Sequence, residues 1–146
     1  MKIYLDTCCY SRPFDDQTLE RIRLETISIG YILNRIDIGL FELYSSDILE
    51  FELNLNPDDL KRELSLELLN QTSNKVLLNN EIINYAKEIE HFGFKTFDAL
   101  HIATSVLNEI NVIITTDDKL ISLAQKNKKY IKIKVVNPIE FIKEYL

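Results

Sequence analysis

The sequence predicts an α/β sandwich in which helices flank a central, mostly parallel sheet. Two observations carry that expectation. Short, wholly apolar runs rich in β-branched residues alternate with longer segments whose apolar residues recur every 3.6 positions. In addition, 146 residues that are 46% hydrophobic and 27% charged are enough to bury a core. No internal repeat, low-complexity tract or linker rich in Pro, Gly and Ser interrupts the pattern, so residues 1–146 read as a single domain.

Ile3-Tyr4-Leu5 is an apolar, β-favouring run, and Asp6 ends it at the strand tip. After the turn-like Ser11-Arg12-Pro13, the segment from about Thr18 to Ile36 carries Leu19, Ile22, Ile29, Ile32, Leu33 and Ile36 at helical spacing until Gly39 stops it. Phe41 to Tyr44 reads as a short strand. Ser45-Ser46-Asp47 then supplies N-cap chemistry for a helix with Ile48, Leu49, Phe51 and Leu53. Pro57-Asp58 opens another helix through Leu60, Leu64, Leu68 and Leu69; Val76 to Leu78 reads as a strand, and Glu81 to Glu90 as a helix closed by Gly93. A helix from Thr96 runs through Phe97, Leu100, Ala103, Val106 and Leu107, with Asp98 in its first turn. Val112-Ile113-Ile114 is a buried strand; Leu120, Ile121 and Ala124 mark a helix, Ile133 to Val136 a last strand, and Pro138 a C-terminal helix through Phe141.

Charge and composition exclude several classes. With 17 basic and 23 acidic residues the net charge is −6, so no overall positive field holds nucleic acid and a polyanion must be bound locally or through metal. The three glycines form neither a dinucleotide fingerprint nor a P-loop. Adjacent Cys8 and Cys9 make neither a disulfide framework nor a CxxC clamp and read as small packing residues at a buried strand end; His91 and His101 make no HExxH. Aspartate at position 6 interrupts any signal-peptide stretch and no long uncharged run could span a bilayer, which predicts a cytoplasmic protein without a membrane partner. The polar run Gln125 to Lys129 reads as a solvated loop or helix end, and the scattered aromatic residues show no evident base-stacking platform.

The chemistry lies in the acids. Ligands of parallel sheets bind beyond the carboxyl ends of the strands, where Asp6 and Asp117 follow apolar strands. The helix carrying Asp98 in its first turn leads into the second of those strands, so it starts at the same rim. On the helix capped by Ser46, Glu50 and Glu52 point about 200° apart, so only one of them faces the site. Two like charges about 4 Å apart repel by roughly 4 kcal/mol at an effective dielectric near 20. Clustered carboxylates therefore either take up protons or hold a hard cation such as Mg²⁺ or Mn²⁺. Taken singly, Asp6 and Asp117 could cap local turns and Asp98 a helix dipole. His101, one turn beyond Asp98, reads as a buried hydrogen-bonding residue rather than a base.

Four segments, Ile3-Tyr4-Leu5-Asp6-Thr7, Ser46 to Leu53, Phe97-Asp98-Ala99-Leu100-His101-Ile102-Ala103 and Ile114-Thr115-Thr116-Asp117, resemble the PIN domain family, metal-dependent ribonucleases that include VapC toxins. The likeness spans nearly the whole chain and implies a PIN-like three-layer sandwich. It implies Asp6, Glu52, Asp98 and Asp117 as catalytic and metal-holding acids, with Thr7 and Thr116 as hydroxyl support. Glu52 is preferred to Glu50 because Leu53 follows it. Cys8 departs from the pattern, since many relatives carry asparagine after the Asp-Thr pair.

The resemblance further implies a Mg²⁺- or Mn²⁺-dependent endoribonuclease that leaves 5′-phosphate and 3′-hydroxyl ends on single-stranded or structured RNA. It implies the toxin of a VapBC-type pair, with a cognate antitoxin as partner and a homodimer as assembly. The alternatives are an orphan RNA-processing or DNA-cutting nuclease and a non-catalytic binding domain. Arg12, Lys95 and Lys119 are candidate phosphate contacts by their position near the acids in sequence, as are Arg21 and Arg23; Arg12 could equally pair with Asp15 or Asp16.

Overall fold

The structure is a computed structural model that describes residues 1–72 and 74–146. Its described elements run β1 (Lys2–Leu5), α1 (Thr7–Ser11), a 3-10 turn (Arg12–Phe14), α2 (Glu20–Asp37), β2 (Glu42–Ser46), α3 (Asp47–Asn54), α4 (Asp59–Leu69) and β3 (Asn74–Val76). They continue through α5 (Asn80–Glu90), α6 (Thr96–Leu107), β4 (Val112–Ile114), α7 (Asp118–Lys126), β5 (Lys134–Val136) and α8 (Pro138–Tyr145). The strands form one sheet in the order β3-β2-β1-β4-β5, every pair parallel, with the eight helices flanking it.

The parallel arrangement follows from burial. Ile3, Tyr4, Leu5, Val112, Ile113 and Ile114 are covered on both faces, which only a central strand with helices on each side provides. In register, Ile3, Tyr4 and Leu5 lie opposite Val112, Ile113 and Ile114, so the chain leaves β1 and β4 at the same end of the sheet. There the order reverses: β1 has β2 on one side and β4 on the other, and the crevice at such a reversal is where open α/β sheets place ligands.

Gly39 ends α2 as its sequence position predicts. With φ at 80°, its N–H donates to the Ile36 carbonyl at 2.9 Å and the Leu40 N–H to the Arg35 carbonyl at 2.9 Å, a left-handed cap that other residues adopt with strain. Ser46 caps α3 by accepting from the Leu49 N–H at 3.2 Å. Phe141 of α8 meets Phe41 edge-on at 5.4 Å between centroids, tying the last helix to the edge of β2.

Two local expectations are corrected. The chain after β1 is a short helix: Asp6 accepts from the Thr7 N–H, so Cys8 and Cys9 are helical and not at a strand end. The third strand is Asn74–Val76 and not Val76–Leu78, because its partner β2 ends at Ser46, opposite Val76. Leu78 leaves the sheet, and its N–H is held by the Asp47 carboxylate at 2.9 and 3.0 Å. The sheet is parallel throughout its described strands. No described helix is long and apolar enough to cross a membrane.

Candidate active site

Asp6 stands at the tip of β1, buried to 6% exposure, with its carboxylate fully engaged. One oxygen accepts from the Thr7 N–H at 2.8 Å and lies 3.2 Å from the Thr7 hydroxyl oxygen, and the other accepts from the Thr115 hydroxyl at 2.7 Å. Thr115 also accepts from the Asp117 N–H at 3.1 Å, so one buried hydroxyl orients Asp6 and braces the backbone that presents Asp117. The sequence reading offered Thr7 and Thr116 and missed Thr115. The inward-facing member of a Thr pair at a strand end is fixed by alternation, and Thr115 directly follows β4.

Glu52 faces Asp6 from α3. Its carboxylate takes the Thr7 hydroxyl and lies 3.0 Å from His101 Nε2, which is in turn 3.7 Å from Asp6. Ligand atoms of Asp6, Glu52 and His101 lie within 4.8 Å of one another. Glu50, on the opposite side of α3, is paired with Lys75 outside this group.

His101 hydrogen-bonds at both nitrogens. Its Nδ1 is 2.7 Å from the Tyr4 hydroxyl, itself 2.7 Å from Ser46 Oγ. A carboxylate can only accept, so Nε2 carries a proton and donates to Glu52. In the neutral ring Tyr4 then donates to Nδ1 and Ser46 to Tyr4, which leaves no buried group in the relay unpaired. Burial pulls the imidazole down, but the Glu52 hydrogen bond and the charges of Asp6, Glu52 and Asp98 outweigh it and hold His101 above its usual value. Burial keeps the Tyr4 hydroxyl protonated.

Asp98, half-buried in the first turn of α6, has its carboxyl pushed up to about 6. Burial is the main cause; the negative charges of Asp6, Asp117 and Glu52 add to it and His101 opposes it. Asp117 is exposed at the head of α7, where it accepts from the Lys119 N–H at 2.9 Å and the Leu120 N–H at 3.2 Å. Its capping role and a place in the acid cluster are compatible. An open groove lined by Thr7, Ser11, Glu52, Leu55 and Asn56 leads to the group from outside.

The cations divide sharply. Arg12 donates to Thr116 Oγ1 at 2.7 Å and Asp15 at 3.1 Å, and its Nε lies 2.9 Å from the fully buried Glu25 without hydrogen-bond alignment. Arg21 spans Glu25 at 2.9 Å and Asp118 at 2.7 Å. Both arginines are bound within the fold. Arg23, Lys95 and Lys119 are exposed and, among the described residues, meet no carboxylate. The Thr116 hydroxyl is held by Arg12 and does not reach Asp6, whose hydroxyl partner from this pair is Thr115.

Among the described residues the ligand atoms of Asp6, Glu52 and His101 alone form one tight group, and since both His101 nitrogens are engaged, the two carboxylates are the donors in it that suit a hard divalent cation; Asp98 and Asp117 stand outside that group, Asp98 near enough to feel the charges of Asp6, Asp117 and Glu52. Asp6 and Glu52 could hold such a cation.

The fold has a counterpart among known proteins. A chain in the crystal structure of VapBC2 from Rickettsia felis bound to a DNA fragment from their promoter superposes with a TM-score of 0.59 at 13% identity, over 94% of this chain and 98% of that one. That likeness is one of fold. No curated protein matches the sequence. The PIN domain family model matches residues 3–126, a span that contains all four acids, and the chain belongs to the PIN domain family.

Proposed function

We propose that this protein is a Mg²⁺- or Mn²⁺-dependent endoribonuclease, with Asp6, Glu52, Asp98 and Asp117 as its catalytic and metal-holding acids. The observation that carries the reading is the convergence, in a PIN domain chain, of Asp6 and Glu52 on one buried hydrogen-bonded centre that also raises the Asp98 carboxyl. A bound divalent cation supplies Lewis-acid charge for the phosphodiester and a lower pKa for the attacking water. The chain supplies geometry. Thr7 and Thr115 fix both oxygens of Asp6, His101 and Thr7 fix Glu52, and the α7 N–H groups fix Asp117, so little rearrangement accompanies binding. Asp98, its carboxyl at about 6, is mostly ionised at neutral pH and would offer a charged oxygen to a cation.

The reading extends to the toxin of a VapBC-type pair, in which residues 1–146 act as one catalytic unit, a cognate antitoxin is the partner and the assembly is a homodimer in the cytoplasm. The fold likeness to a chain of the VapBC2 complex supports this extension. End-labelled single-stranded RNA and DNA incubated with Mg²⁺, Mn²⁺ or EDTA test the activity. RNA products with 5′-phosphate and 3′-hydroxyl ends, formed only with metal, are expected. Cutting in EDTA would overturn the metal assignment, equal cutting of DNA the RNA preference, and absence of cutting on every substrate the enzyme reading itself.

A further inference from the structure

The chain carries a net charge of −6, yet from Lys119 to Ile139 it holds six lysines and no acidic residue. This positive stretch begins directly after Asp117 and Asp118, at the edge of the acid cluster. Lys119, Ser122 and Lys126 share one face of α7 and, with Asp118 and Leu123, line a shallow open depression. Lys126, Lys128, Lys129 and Lys132 are exposed, and among the described residues none meets a carboxylate. The site's other cations differ: Arg12, Arg21 and Lys61 are all tied to acids. Charge without an internal partner is charge available to phosphate.

A second, independent observation lies beside it. Tyr130, 66% exposed, stacks on Phe92 with centroids 5.2 Å apart and rings inclined by 22°. Phe92 belongs to the loop that leads into α6 and Asp98, and this loop rests on α7, since a Cβ at Gly93 would meet Leu123 at 3.9 Å. An exposed ring already braced by a second ring is a preformed platform for a base. Stacking of that kind accepts any base, because each presents a π face.

We infer that α7, the turn at 127–130 and the Phe92 loop form a track for single-stranded RNA running away from the acid cluster. Lys119, Lys126, Lys128 and Lys129 meet phosphates, and the Tyr130–Phe92 pair stacks a base. The inference rests on the ribonuclease reading and says where substrate lies beyond the scissile bond. From Asp118 to Lys126 the helix rises about 12 Å, so the track holds nucleotides outside the cutting site. An acidic protein segment would meet the same lysines but leaves the aromatic platform without a role, which favours RNA.

Fluorescence anisotropy with a labelled oligouridylate in EDTA tests the track without cleavage. Compared with wild type, a variant combining Lys126→Gln, Lys128→Gln and Lys129→Gln should lose about 2 from the salt slope of binding, at roughly 0.7 per phosphate contact on single strands. Tyr130→Ala should weaken binding about tenfold with the slope unchanged. These side chains are exposed, and thermal melting verifies that each variant is folded. An unchanged slope in the triple variant, absence of wild-type RNA binding, or a loss confined to polyglutamate binding would overturn the track, the last in favour of an acidic protein partner. Metal-dependent RNA cutting with an unchanged slope would reject the track and leave the nuclease standing. A reduced slope in a protein that never cuts would do the reverse.

Discussion

Asp98 shows how one side chain couples fold, pH and metal. Its carboxyl lies at about 6 in the folded chain, raised first by burial and then by Asp6, Asp117 and Glu52, whereas an unperturbed aspartate titrates near 4. A raised carboxyl stabilises the fold fully below the unfolded value and loses that contribution as pH rises through 6. The metal-free protein should therefore be less stable at neutral pH than near pH 5. Asp98→Asn should recover about 1 to 2 kcal/mol at neutral pH, a figure reduced for the solvent screening of a half-exposed group, and urea unfolding at the two pH values measures it. Glu52→Gln and Glu50→Gln form a matched pair on one helix. The first should lower cleavage by at least about a hundredfold, as loss of a charged ligand does, while the second breaks only the exposed Lys75 pair and should change it less than about twofold.

At the scale of elements, two devices hold the site in place. Ser46 caps α3 and meets the Tyr4 hydroxyl, so Ser46→Ala removes a cap and leaves the Tyr4–His101 relay short of a partner. A loss of about 1 to 2 kcal/mol is expected from denaturant midpoints. Glu25, fully buried on α2, gathers Arg12, Arg21 and Asn137, thereby joining the 3-10 turn, α2 and the start of α8. Glu25→Ala leaves the largely buried Arg12 without its partner and should cost about 3 kcal/mol or more by the same measurement. Apart from the Ser46 cap itself, these contacts were not legible in the sequence, because a contact between Arg12 and Glu25 or between Tyr4 and His101 depends on tertiary placement and has no local periodicity. What was legible had a local signature. The apolar runs at Ile3 and Val112, the Gly39 stop and the Ser46 cap all lie where the pattern put them. The short α1 escaped because Thr7-Cys8-Cys9 has weak helix propensity and is made helical by its Asp6 cap. Glu50 and Glu52 were known to point apart, but only the position of β1 beside α3 decides which one meets Asp6.

For the whole molecule, strand order does most of the work. Since β1 lies between β2 and β4, the segments following those three strands open onto one rim, and α6 returns there from sequence far away. Acids as far apart in sequence as Asp6 and Asp98 thus repel one another in the metal-free fold, and a cation that binds only the folded chain should stabilise it. At a concentration about a hundred times its dissociation constant the gain is about 2.7 kcal/mol, which in a chain of this size raises the melting temperature by roughly 5 to 10 °C. Differential scanning fluorimetry with Mn²⁺ should show that rise in wild type and a smaller one in Asp98→Asn.

The most direct test of the site incubates wild type and Asp98→Asn with labelled single-stranded RNA in Mn²⁺ and in EDTA. Cleavage by wild type in Mn²⁺ alone is expected, reduced at least about a hundredfold by the substitution while the variant stays folded. Equal cleavage by the two proteins, or cleavage that persists in EDTA, would contradict the assignment of the site.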